Sequence, residues 1–140
     1  MTLNSTSLLS RVKEHLKAFN KSTSIWVQKV TSRPYEEPIF ILGNQKSGTS
    51  AIASLLAKMT NCSATIDLRE EIKNPTFQLV KRGDLSFDEF IWTNKLDFTR
   101  KIVKEPNLSI FYDELLFRFP DAKFVFVVRD PRDNIRSILN

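Results

Sequence analysis

Apolar residues along this chain fall into short runs of two different periods, separated by polar stretches marked with glycine and proline. Ile39-Phe40-Ile41-Leu42 and Phe124 to Val128 are continuous apolar runs rich in β-branched and aromatic residues. Both read as strands, and the second, Phe124 to Val128, predicts a strand buried on both faces of a parallel sheet. Ile52, Leu55 and Leu56 follow the first run at helical spacing. Ala64 to Leu68 and Lys101 to Lys104 read as shorter strands. Ser86-Phe87-Asp88-Glu89 has the form of a capping box and predicts a helix through Trp92. Asn107 or Ser109 is the expected cap of a further helix through Leu115, Leu116 and Phe119, ended by Pro120. Strands alternating with helices predict an α/β fold, a mostly parallel sheet flanked by helices and joined by right-handed crossovers.

Ahead of this core, Leu8, Val12, Leu16 and Phe19 recur at helical spacing, with Arg11, Lys13, Glu14 and Lys17 on other faces. A helix packed on the domain or on a partner subunit is the expected reading, ahead of membrane binding, and self-association through this helix is one form of it. Ile25-Trp26-Val27 extends the apolar surface. Arg33-Pro34-Tyr35-Glu36-Glu37-Pro38 is a proline-bounded connector into the first strand. Two segments result: residues 1–37 as helical leader and connector, and residues 38–140 as the core.

Composition narrows the function classes. The chain has 140 residues, a net charge of +5 and 41% hydrophobic residues, enough for one small core and favourable to anionic ligands. The charge is too mild and dispersed to imply nucleic acid. One cysteine, Cys62, allows no internal disulfide and gives no metal-ligand spacing, so no metal is expected and a reducing cytoplasm is the natural compartment. The N-terminus lacks a basic leader followed by an apolar core, and no segment approaches the roughly 18 apolar residues of a membrane span.

Chemistry concentrates in Gly43-Asn44-Gln45-Lys46-Ser47-Gly48-Thr49-Ser50, between the first strand and its helix. Glycines let the backbone approach a ligand, and the free N–H groups of the helix start, its dipole and Lys46 all favour an anion there. The nucleoside-triphosphate loop, GxxxxGK[ST], places its lysine directly after the second glycine. Here Thr49 follows Gly48 and the lysine lies inside the loop, which suits a phosphate joined to one transferable group. The second stretch is Arg129-Asp130-Pro131, at the carboxyl end of the Phe124–Val128 run, where open α/β sheets place ligands. Asp130 reads as a helix cap with Pro131 in the first turn, and Arg129 with Ser137 two turns on reads as a grip for a second phosphate.

Together these stretches resemble the sulfotransferases that use 3′-phosphoadenylyl sulfate (PAPS). The family's loop, P-[KR]-[SG]-G-T-[TS], corresponds to Gln45-Lys46-Ser47-Gly48-Thr49-Ser50, with Gln45 replacing the proline. Its R-x-x-x-D-x-x-x-S segment corresponds to Arg129, Asp133 and Ser137. The resemblance implies a P-loop-type fold and transfer of a sulfuryl group from PAPS to a hydroxyl or amine of a small-molecule, lipid or carbohydrate acceptor. It implies that Lys46 contacts the oxygen bridging phosphate and sulfate, and that Ser47, Gly48, Thr49 and Ser50 hold the 5′-phosphate. Arg129 and Ser137 then recognise the 3′-phosphate, with Asp133 orienting an arginine.

Transfer needs a base. The one histidine, His15, lies far upstream, and the K-T-H-type segment of the cytosolic branch corresponds here to Lys104-Glu105-Pro106. Other branches use a glutamate after the phosphate loop, which points to Glu70 or Glu71, with a slight preference for Glu70 and with Glu105 as the alternative. Lys104 either faces the site or is a sheet-edge lysine. Lys73, Lys81 and Arg82 read as ordinary surface charge.

The resemblance covers residues 38–140, only the first part of a typical family domain, so a fragment truncated at its C-terminal end is expected. Two rival readings stand beside it. A P-loop nucleotide kinase or NTPase needs the lysine after Gly48. A non-catalytic truncated relative would act as a binding module through its leader helix.

Overall fold

The computed structural model describes residues 5–139. Two units are distinct along the chain, residues 1–32 and residues 33–140. In the first, α1 (Ser5–Thr31) is a single helix of 27 residues. Leu16, Phe19, Trp26 and Val30 are exposed on it. Leu8 and Val12 of the expected apolar stripe lie outside the residues whose side chains are described.

The second unit is built on four parallel strands in the order β2-β3-β1-β4. These are β1 (Ile39–Gly43), β2 (Ala64–Ile66), β3 (Ile102–Lys104) and β4 (Lys123–Val127). Helix α2 (Thr49–Thr60) follows β1, and α3 (Arg69–Lys73), α4 (Phe77–Arg82) and α5 (Phe87–Thr93) lie between β2 and β3. A 3₁₀ segment, Pro106–Phe111, runs into α6 (Tyr112–Arg118), and α7 (Pro131–Leu139) follows β4. The fold is therefore α/β with an all-parallel sheet flanked by helices.

Alternation along β1 divides the core between the two faces of the sheet. Phe40 and Leu42 join Leu68, Phe90, Phe98, Val103, Leu108, Leu115 and Phe119 in the larger cluster. Ile41 joins Ile102 and Ala53 of α2 in the smaller one, with Val125 and Val127 packed against it. Phe40 is fully buried and stacks on Phe124 at 5.6 Å between ring centroids. The capping box at Ser86 is present, its hydroxyl accepting from the Glu89 N–H while the Glu89 carboxylate accepts from the Ser86 N–H.

Two expectations need correction. The Phe124–Val128 run does not form a strand buried on both faces. β4 pairs with β1 alone and forms an edge of the sheet, so Phe126 is 55% exposed and Val128, past the end of the strand, 90%. Nor does Asn107 or Ser109 cap the next helix. Pro106 starts a 3₁₀ turn whose cap is Glu105, which accepts from the Asn107 N–H, and α6 begins only at Tyr112. A proline at the first helical position needs no N–H of its own, so the cap falls one residue ahead of it.

Candidate functional site

All four strands point their carboxyl ends at one edge of the sheet, and each ends in polar residues there: the loop after Gly43, Asp67, Lys104-Glu105 and Arg129. The loop between β1 and α2 is shaped by its glycines. Gly43 has φ +148°, and a Cβ there would lie 2.5 Å from the Val127 carbonyl oxygen, so β4 crosses too close for any side chain. Gly48 has φ +96° and caps α2 without a side-chain hydrogen bond, and a Cβ there would meet nothing within 4 Å. The space over the helix start is open, and the first N–H groups of α2 have no acceptor within the helix. Lys46 itself adopts φ 60°, a left-handed conformation that a non-glycine residue rarely takes. Ser47 closes the turn, its hydroxyl donating to the Asn44 carbonyl at 2.6 Å.

The second stretch braces the first. The Arg129 guanidinium donates to the Lys46 carbonyl at 2.8 Å, and buried Asn134 of α7 donates to the Gln45 carbonyl at 2.7 Å. Asp130 caps α7, accepting from the Arg132 N–H at 2.9 Å. Arg129, Asp133, Arg136 and Ser137 line one small cleft of about 280 Å³, and Asp133 sits 3.7 Å from Arg136. The sequence-predicted arginine and serine are thus neighbours, and Arg136 is the arginine beside Asp133.

A larger cleft of about 740 Å³ opens above the loop. Lys46, Gly48, Thr49 and Ser50 line it on one side, and Asp67, Glu71, Lys104 and Glu105 on the other. Lys104 reaches it with a side chain only 6% exposed and pairs with Asp67 at 2.5 Å. Asp67 takes φ 63°, and its carboxylate accepts from Lys104 at the end of β3.

The three candidate bases separate. Glu70 does not line the cleft; it lies partly exposed and accepts from Lys73 at 3.2 Å. Glu71 lines it but is heavily engaged. One of its oxygens accepts from the Thr76 hydroxyl at 2.6 Å and from Asn94 at 3.1 Å, the other from the Thr76 N–H at 2.6 Å. Glu105 is buried and accepts from the Leu68 N–H at 3.3 Å and from the Asn107 N–H and side-chain amide at 3.1 and 3.0 Å. Burial nevertheless raises its pKa above the ordinary carboxylate range, because removing the charge from water outweighs those bonds.

Residues absent from the sequence reading of the site are Asn134, which holds the loop, and Asp67, which holds Lys104. Position after β2 was the available signal for Asp67, since ligands gather at the carboxyl ends of parallel strands. Among the described residues no helix is long and apolar enough to cross a membrane, and no group of three or more His, Cys, Asp or Glu is arranged to hold a metal ion.

No curated protein matches the chain. A family model described as Sulfotransferase domain matches residues 38–140, a stretch that takes in the loop between β1 and α2, both clefts and every strand of the sheet. The chain belongs to the sulfotransferase family, whose general chemistry is sulfuryl transfer.

Proposed function

We propose that residues 38–140 form the cofactor-binding core of a PAPS-dependent sulfotransferase, with residues 1–37 as leader and connector. The observation that carries this reading is the brace between Arg129 and the Lys46 carbonyl. It links the two phosphate-binding stretches, so that one ligand with phosphates at both ends of a ribose would engage both. The open space over Gly48 and the cleft above the loop fit such a ligand.

In the reaction, PAPS supplies a sulfuryl group on a good leaving phosphate. The acceptor oxygen or nitrogen forms a bond to sulfur as the sulfur–oxygen bond to the 5′-phosphate breaks, and the acceptor proton passes to a base. Lys46 and the α2 N–H groups offset the charge that develops on the leaving 3′,5′-ADP. Glu105 is the best-placed base of the three candidates: it lines the cleft, and its raised pKa increases its proton affinity. Glu71 and Glu105 each accept three hydrogen bonds, so it is the raised pKa that favours Glu105, and Glu70 stands outside the cleft. Lys104, held by Asp67, adds a second cation on the acceptor side. The acceptor is a small molecule, lipid or carbohydrate bearing a hydroxyl or amine. A cytoplasmic setting belongs to the same reading and is supported by the single, unpaired Cys62.

Binding of 3′,5′-ADP to the wild-type chain and to Lys46→Ala tests the assignment. A loss of at least tenfold in the variant, with an unchanged circular dichroism spectrum, is expected. Equal affinity in both proteins would remove Lys46 from the phosphate site.

A further inference from the structure

The small cleft at the start of α7 holds two arginines. Building on the PAPS reading above, we infer that Arg136 is a specificity-determining residue that grips the 3′-phosphate together with Arg129. The R-x-x-x-D-x-x-x-S spacing leaves position 136 open, so the sequence pattern does not single it out. Asp133, Arg136 and Ser137 stand at i, i+3 and i+4 in α7 and share one face of the helix. With Arg129, just ahead of the helix, they line the cleft of about 280 Å³.

Charge makes the second arginine necessary. A phosphate monoester carries a charge of about −1.5 to −2 at pH 7. Arg129 and Asp133 alone would leave the cleft neutral, and Arg136 makes it cationic. Arg129 is also partly committed, because one of its guanidinium nitrogens donates to the Lys46 carbonyl at 2.8 Å.

Geometry leaves Arg136 ready for a ligand. Asp133 lies 3.7 Å away, close enough to attract the guanidinium and too far to take a hydrogen bond from it. The fork of N–H donors therefore stays open to phosphate oxygens, which arginine binds in pairs. The Arg136 side chain is 77% exposed, so its pairing with Asp133 contributes little to stability. A 3′-phosphate offers the guanidinium more charge than Asp133 does. Arg132 is exposed on the same helix but does not line the cleft, which makes it the control for a general loss of charge.

Calorimetric titration with 3′,5′-ADP and 5′-AMP at fixed salt tests this in the wild-type chain, Arg136→Ala, Arg136→Lys and Arg132→Ala. Arg136→Ala should weaken 3′,5′-ADP at least tenfold and change 5′-AMP by less than about twofold, as expected for one charged contact to the 3′-phosphate. Arg136→Lys, which keeps the charge and loses the fork, should recover part of that loss. Arg132→Ala should bind both nucleotides within about twofold of wild type. Unchanged 3′,5′-ADP affinity in Arg136→Ala would overturn the inference, as would an equal loss for 5′-AMP or an equal loss in Arg132→Ala. A wild-type chain that does not prefer 3′,5′-ADP over 5′-AMP would instead sink the PAPS reading, and the role of Arg136 with it.

Discussion

Arg129 donates to the backbone carbonyl of Lys46 at 2.8 Å, so the residue expected to read one phosphate also holds the loop expected to bind the other. Asn134 adds a second tie one residue earlier, at Gln45. The two ties separate experimentally. The Asn134 side-chain amide donates to the loop, so Asn134→Ala should weaken 3′,5′-ADP and 5′-AMP by the same factor, about threefold to tenfold, as expected for one lost hydrogen bond. Arg129→Ala should weaken both and then cost 3′,5′-ADP at least a further tenfold, because a charged contact to the 3′-phosphate goes as well. Titration calorimetry with both nucleotides reads the difference, and equal losses for Arg129→Ala would dismiss the 3′-phosphate role.

Gly43 is required by β4 rather than by a ligand. Gly43→Ala puts a Cβ 2.5 Å from the Val127 carbonyl oxygen at φ +148°. The cost should be about 3 kcal/mol of stability, from backbone strain and displacement of the edge strand. Gly48→Ala meets open space and should cost only about 1 kcal/mol through its φ of +96°. Urea unfolding of the two variants should rank them in that order, and the reverse order would contradict the packing of β4 on the loop.

Lys104 is a buried cation whose hydrogen-bonded partner is Asp67. Asp67→Asn removes its hydrogen-bonded counter-charge, leaves only the longer-range attraction of Glu105, and should destabilise the fold by about 2 kcal/mol. This lies below the value for fully enclosed pairs, because Asp67 is itself 38% exposed. Lys104→Met, which removes the charge and keeps the packing, should be nearly neutral in stability. Equal, large losses in both variants would show that the pair itself stabilises the fold.

Glu105 should set a pH dependence. Its folded-state pKa is raised, so its contribution to stability is complete below the unfolded-state value of about 4.3 and is lost as pH rises through the folded value. Glu105→Gln stays neutral and removes that dependence, apart from a constant offset where its amide meets the Leu68 N–H. The variant should therefore gain on the wild type as pH climbs from about 4 through the raised value. Chemical denaturation at several pH values checks the trend. A parallel stability–pH curve for both proteins would mean that Glu105 titrates normally.

How much of this was legible in the sequence follows from how local each signal is. Gly43, Lys46 and Gly48 sit within six consecutive residues, and Arg129 lies just ahead of α7 with Ser137 about two turns on within it, so spacing alone exposes them. The Lys104–Asp67 pair joins residues 37 apart that meet only because β2 and β3 run side by side. Glu70 and Glu71 are adjacent in one short helix and differ by about 100° in direction. Only Thr76 and Asn94 decide which of them turns inward, and neither is marked by any local pattern. The apolar run of β4 predicts a doubly buried strand because composition does not distinguish a central strand from an edge.

The central claim is that one ligand bridges Lys46 and Arg129. Calorimetric titration of the chain with 3′,5′-ADP, beside ADP, ATP and 5′-AMP, tests it most directly. Preference for 3′,5′-ADP by at least tenfold over the other three is the predicted result. Preference for ATP in the presence of magnesium would contradict it and place the loop among the nucleoside-triphosphate binders.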